Sequence, residues 1–113
     1  MINAYRFGVM QVQNSTYGKD LVILPSRIVP NWRRLRGHVL DLADIRVFLD
    51  EIGDVVVIGT GLFDMMKVSD NVIQELERHG ISVVVFPTSK AWKQFNKFHS
   101  DGANVTGMFH LTC

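Results

Sequence analysis

The chain has 113 residues, 47% hydrophobic and 20% charged, with a formal net charge of +1 and one cysteine, Cys113. This length supports one domain, residues 1–113, with a core that needs neither disulfide nor metal. The near-neutral charge argues against nucleic acid or an anionic bilayer as an overall electrostatic partner, and no apolar stretch reaches the roughly 20 residues of a membrane span.

The first thirty residues predict strands. Phe7 to Gln13 alternates, with Val9, Gln11 and Gln13 on one face and Met10 and Val12 on the other. Asn14-Ser15-Thr16-Tyr17-Gly18 turns the chain, and Leu21-Val22-Ile23-Leu24 is the expected return strand of an N-terminal β-hairpin. Pro25 and Pro30 bracket a short extended piece, Arg27-Ile28-Val29, and residues 31–40 lack a period and read as a loop. Asp41 is then placed to cap a helix. Its stripe of Leu42, Ile45, Phe48, Leu49 and Ile52 runs to the stop at Gly53.

Val55-Val56-Val57-Ile58 is a strand apolar on both faces, followed by Gly59-Thr60-Gly61 and a short edge strand over Met65 to Val68. Ser69 is expected to cap a helix that ends at His79-Gly80, and Ile81 to Phe86 is a second buried strand. Thr88 is expected to cap a third helix, with Ala91, Trp92, Phe95 and Phe98 inward and Lys90, Lys93 and Lys97 outward. Asp101-Gly102 turns into a last strand, Val105 to Leu111. Strands apolar on both faces must be covered on both faces, so the two valine-rich runs and the helix between them predict a βαβ unit in an α/β fold. Gly59-Thr60-Gly61 and Thr88 then fall at the carboxyl ends of neighbouring parallel strands, where such sheets hold ligands.

The candidate site follows from that address. Glycines at Gly59 and Gly61 would let an anion approach the backbone, or simply give the strand a tight exit. The loop lacks the third glycine of a dinucleotide fingerprint and the Gly-Lys-Ser/Thr of a phosphate loop, so no cofactor is expected. Thr88 opens a helix N-terminus, where anions are favoured, and Asn96 could orient a bound carboxylate. Arg33, in the basic run Trp32-Arg33-Arg34-Leu35-Arg36-Gly37-His38, suits phosphate or carboxylate recognition; the alternative is a solvated loop with Trp32 as a plug. His110 and Cys113 are two soft ligands three residues apart, short of the three or four a zinc site needs, so no metal is expected. The carboxylates form no catalytic pair. An N-terminus without a secretory apolar core, together with the lone cysteine, sets the expectation of a cytoplasmic protein.

Ile58-Gly59-Thr60-Gly61, Lys67-Val68-Ser69, His79-Gly80-Ile81, Thr88, Ala91, Asn96 and the ending Phe109-His110-Leu111-Thr112-Cys113 resemble one small family. It includes mitochondrial complex I assembly factor 3, the adipogenesis-associated protein of vertebrates and uncharacterised bacterial and archaeal proteins. Trp32-Arg33 and His38 fit its middle segment, while Phe95 stands where relatives often carry tyrosine. The resemblance implies a three-layer α/β fold with a mixed central sheet, and no known reaction. The expected function is therefore a non-enzymatic, assembly-type domain acting through protein partners. The alternative is a small-anion or carboxylate binder, or a small enzyme, using Gly59, Thr60, Gly61, Thr88 and Asn96, with Arg33 and His38 completing the candidate ligand-binding set.

Overall fold

The structure is a computed structural model and describes residues 1–113. The chain runs through β1 (Ile2–Arg6), β2 (Val9–Val12), β3 (Ser15–Tyr17), β4 (Leu21–Ile23), β5 (Ile28–Val29), β6 (Val39–Leu40), α1 (Leu42–Arg46), β7 (Val55–Thr60), β8 (Lys67–Val68), α2 (Asp70–Arg78), β9 (Ser82–Phe86), α3 (Thr88–Ser100) and β10 (Val105–His110). Five strands form a mixed central sheet in the order β5-β4-β10-β7-β9. β10, β7 and β9 run parallel, while β4 is antiparallel to β10 and β5 to β4.

Period-two alternation divides the core. Val56, Ile58, Met108 and Val22 point to one face, where they meet Ile45, Phe48, Val72 and Leu76 of the α1–α2 side. Val57, Phe109, Leu21 and Ile23 point to the other, against Ala91 and Phe95 of α3 and Met10 and Val12 of the N-terminal hairpin. The sheet is thus the middle of three layers, and the βαβ unit β7-α2-β9 has the predicted parallel register, with Val57 opposite Val84.

Several expectations need correction. The N-terminal hairpin pairs β1 with β2 and continues into β3, so its turn-back is Ser15–Tyr17; Leu21–Ile23 joins the central sheet instead. The strand Ser82–Phe86 lies at the sheet edge, with Ser82 and Val85 exposed, and β4, β7 and β10 are the strands buried on both faces. The first helix closes after Arg46; Ile45 reaches the core from the helix itself, and Phe48 with the partly buried Leu49 and Ile52 from the successive tight turns that follow it. Residues 31–40 are anchored: Trp32 is buried and Val39–Leu40 pairs in parallel with Lys67–Val68 as a separate two-stranded ribbon.

Candidate functional site

The strand-end rim is where the sequence put it and is packed shut. The Thr88 hydroxyl donates to the His110 carbonyl (2.6 Å) and accepts the Gly61 N–H (2.8 Å), so one fully buried side chain pins three segments. It lies inside the first turn of α3. Pro87 holds the capping position, which corrects the expectation that the Thr88 side chain caps the helix. The Thr60 hydroxyl donates to the Asp64 carboxylate, with the Phe86 carbonyl 3.2 Å away. Glycine is required at both flanking positions. A Cβ on Gly59 would lie 2.8 Å from the Thr88 hydroxyl, and one on Gly61, at φ +101°, would lie 2.3 Å from the Cys113 carbonyl carbon.

Asn96 is elsewhere. Eight residues along α3 is about 12 Å of helix rise, and there its amide clasps β1, accepting the Ile2 N–H (2.8 Å) and donating to the Ile2 carbonyl (2.7 Å). Gly59, Thr60, Gly61 and Thr88 therefore meet, and Asn96 tethers the N-terminal strand.

A second polar cluster gathers beside the rim around Asp20, a residue with no expected role, and joins it to Arg34 of the basic run and to His110. Asp20, just before β4, accepts from the Leu111 N–H (2.8 Å), from the Arg34 guanidinium (2.8 Å) and from His110 Nδ1 (2.8 Å). His110 follows Met108 in period two and so faces the α1–α2 side from the end of β10. Holding the proton on Nδ1 for Asp20 leaves Nε2 as the acceptor nitrogen. The Arg34 contact at 3.1 Å to Nδ1 is then proximity without a hydrogen bond. His110 Nε2 and Arg34 Nη1 are both buried without a partner. Burial alone would raise the Asp20 carboxyl, but the hydrogen bonds from His110, Leu111 and Arg34 outweigh it and hold it below the usual carboxylate range. Nearby, burial first and the Asp20 charge second push the Tyr5 phenol up to about 12; its hydroxyl donates to the Leu111 carbonyl (2.9 Å).

An aspartate-oriented histidine is the geometry of a general base. None of the four surface concavities is lined by His110, whose side chain is almost fully buried. His38 is exposed and lays its ring edgewise against His110 at 5.6 Å, while its carbonyl accepts the Lys67 N–H (2.8 Å) that starts the small ribbon. Arg33 is exposed and lines a concavity of about 370 Å³ with Lys19, Asn31 and Trp32. No group of three or more metal-ligating side chains converges anywhere in the chain. Asp20 was illegible because its partners lie 14 and 90 residues away; a lone aspartate before an apolar run carries no local signal.

Over the closed rim sits an apolar surface. Three backbone bonds bring its parts together: Gly8 N–H to the Leu111 carbonyl (2.8 Å), Leu62 N–H to the Thr112 carbonyl (2.7 Å) and Met65 N–H to the Cys113 carbonyl (2.9 Å). Phe7, in the turn after β1, and Phe63, in the loop after β7, then approach ring to ring at 6.2 Å. Phe7 is 48%, Phe63 65% and Met65 53% exposed.

Comparison with known proteins matches a family model described as a protein of unknown function (DUF498/DUF598) to residues 2–110. The conserved hypothetical protein PH1505 from Pyrococcus horikoshii OT3 is 27% identical over all of this chain and 99% of its own, with a TM-score of 0.87. An outer membrane protein from Bartonella henselae is 23% identical over 99% of this chain and 94% of that one, with a TM-score of 0.83. A Bordetella pertussis protein described as a Mth938-like domain is 18% identical over 98% of this chain and 85% of that one, with a TM-score of 0.65. The last two share the fold. No helix of the present chain is long and apolar enough to cross a membrane.

Proposed function

The chain belongs to the DUF498/DUF598 family of proteins of unknown function, and we propose that it is a non-enzymatic, assembly-type interaction domain that docks a protein partner on the rim of Phe7, Phe63 and Met65. The observation that carries this reading is the pairing of a sealed rim with an exposed aromatic pair above it. The Thr88 hydroxyl, the Gly61 N–H and the His110 carbonyl satisfy one another inside the fold, and two large rings are left about half or more in water. Burying a side chain of this size is worth roughly 1.5–3 kcal/mol, and aromatic anchors held by a rigid frame are what protein interfaces use. The resemblance of Ile58-Gly59-Thr60-Gly61 and Phe109-His110-Leu111-Thr112-Cys113 to the complex I assembly factor 3 family supports the same reading, and the single cysteine supports the cytoplasm as the compartment.

A photoreactive phenylalanine analogue placed at position 63 of the full chain, irradiated in its native host, tests the proposal. One foreign protein should be captured, lost on Phe7→Asp and absent when the probe is moved to position 93 on the exposed face of α3. Equal capture from both positions, capture only of a second copy of the chain, or no capture would each refute it.

A further inference from the structure

We infer that the concavity walled by Lys19, Asn31, Trp32 and Arg33 is a binding site for the phosphate group of a small phosphorylated molecule. It lies in a different segment from the aromatic rim and stands without it. Charge pairing sets the two lining cations apart from their neighbours. Arg27, Arg34 and Arg36, in the same stretch of chain, each hold a carboxylate: Glu51, Asp20 and Asp41 at 2.8, 2.8 and 2.9 Å. Arg33 holds none, Lys19 holds none, and the lining of their concavity contains no acid.

The two cations are brought together by their neighbours. Lys19 precedes Asp20 and Arg33 precedes Arg34, and the Asp20–Arg34 ion pair, with both side chains largely buried, clamps the two segments side by side. A backbone bond from the Trp32 N–H to the Asp20 carbonyl (2.8 Å) locks the same junction, and the Arg34 guanidinium stacks 4.8 Å from the Trp32 ring. Buried residues on both sides of Arg33 turn its own side chain outward. Asn31, at φ 54°, bends the chain into this arrangement.

Holding two like charges around one hollow is unfavourable until an anion fills it. A guanidinium offers paired N–H donors to phosphate oxygens and an ammonium adds a point charge. The backbone on both sides is anchored by the Asp20–Arg34 pair and the Trp32 N–H, so binding needs to order only the Lys19 and Arg33 side chains. A volume of about 370 Å³ is at the small end of metabolite pockets and exceeds what a bare ion needs.

The test is a nitrogen–proton chemical-shift titration of the full chain with phenyl phosphate, inorganic phosphate and benzoate. Phenyl phosphate should shift the amides of Lys19, Asn31 and Arg33 and the Trp32 indole, saturating in the millimolar range, with inorganic phosphate weaker and benzoate weakest. Arg33→Gln and Lys19→Gln should each weaken phenyl phosphate roughly tenfold, and Arg36→Gln, whose partner is Asp41, should leave it unchanged. Both lining substitutions are at exposed positions, so an otherwise unchanged spectrum certifies folding. Shifts that survive Arg33→Gln, that spread equally over Lys90, Lys93 and Lys97, that never saturate, or that benzoate reproduces at the same affinity would overturn the site.

Discussion

At the carboxyl ends of β7 and β9 the polar groups around Thr88 are partnered inside the fold, whereas beside Trp32 two cations have no partner at all. The first region is a knot: Thr88, Gly61, His110 and the last residues of the chain hold one another. The second is a frame: Asp20, Arg34 and Trp32 hold one another and leave Lys19 and Arg33 facing outward. A cluster of polar residues at a strand end is therefore no guide to a site until the partners of each atom have been counted. Unpaired charge near a rigid support is the better pointer.

The knot should break most severely at Gly61. Alanine there meets the Cys113 backbone at 2.3 and 2.5 Å from a φ of +101°, so Gly61→Ala should cost roughly 3 kcal/mol or more in urea denaturation. Thr88→Val keeps the shape and strands the Gly61 N–H and the His110 carbonyl, for roughly 2–3 kcal/mol. Thr88→Ser, which keeps both bonds and loses a methyl, should cost only about 1 kcal/mol.

Asp20→Asn is the next test, because Asp20 joins the two regions. It should lower stability at neutral pH by roughly 2 kcal/mol, a figure reduced for partial solvation. The pH dependence has a defined sign. A carboxyl depressed by folding adds stability above its unfolded pKa of about 3.9, and that stability drains away as pH falls through the lower folded value. Acid denaturation of the natural chain should steepen below about pH 4, and Asp20→Asn should flatten that limb. At the alkaline end, the Tyr5 phenol at about 12 contributes stability that is intact below its ordinary pKa of 10.0 and lost as pH climbs through about 12. Tyr5→Phe should abolish that alkaline limb and cost about 1 kcal/mol or less at neutral pH. The smallest effect sharpens the contrast from the other side. Arg33→Gln should leave stability within about 0.5 kcal/mol, as expected where a side chain contributes nothing to the fold.

The layered α/β plan was legible because its signals are local. Val55–Ile58, the helix from Ser69 and Ile81–Phe86 carry their own periodicity and caps, and their parallel register followed. What failed depended on partners far away in sequence. Leu21-Val22-Ile23 looks like a hairpin return until β10, some eighty residues later, claims its edge. Ile81–Phe86 has the composition of a central strand, yet nothing pairs with its outer edge. The stripe from Leu42 to Ile52 predicts one helix, but the same inward contacts are made by a single α-turn followed by tighter ones. Among candidate ligand-binding residues, Thr60 and Thr88 were placed together correctly from topology. That their hydroxyls would be consumed, by Asp64 and by the His110 carbonyl, needed the path of the loop after β7 and the place of β10 in the sheet, and neither is set by local sequence.

The position of β10 has a consequence for how the molecule comes into being. Residues 105–110 are inserted between β4 and β7, both made much earlier, and without them the main sheet is split into two unjoined pairs. As the polypeptide emerges from the ribosome, the valine-rich flank of β7 and the apolar flank of β4 remain open to stray strands until residues 105–110 have been translated. Folding of this sheet is therefore deferred until that segment arrives, and in the interval the nascent chain is most exposed to wrong pairings and has most use for a chaperone.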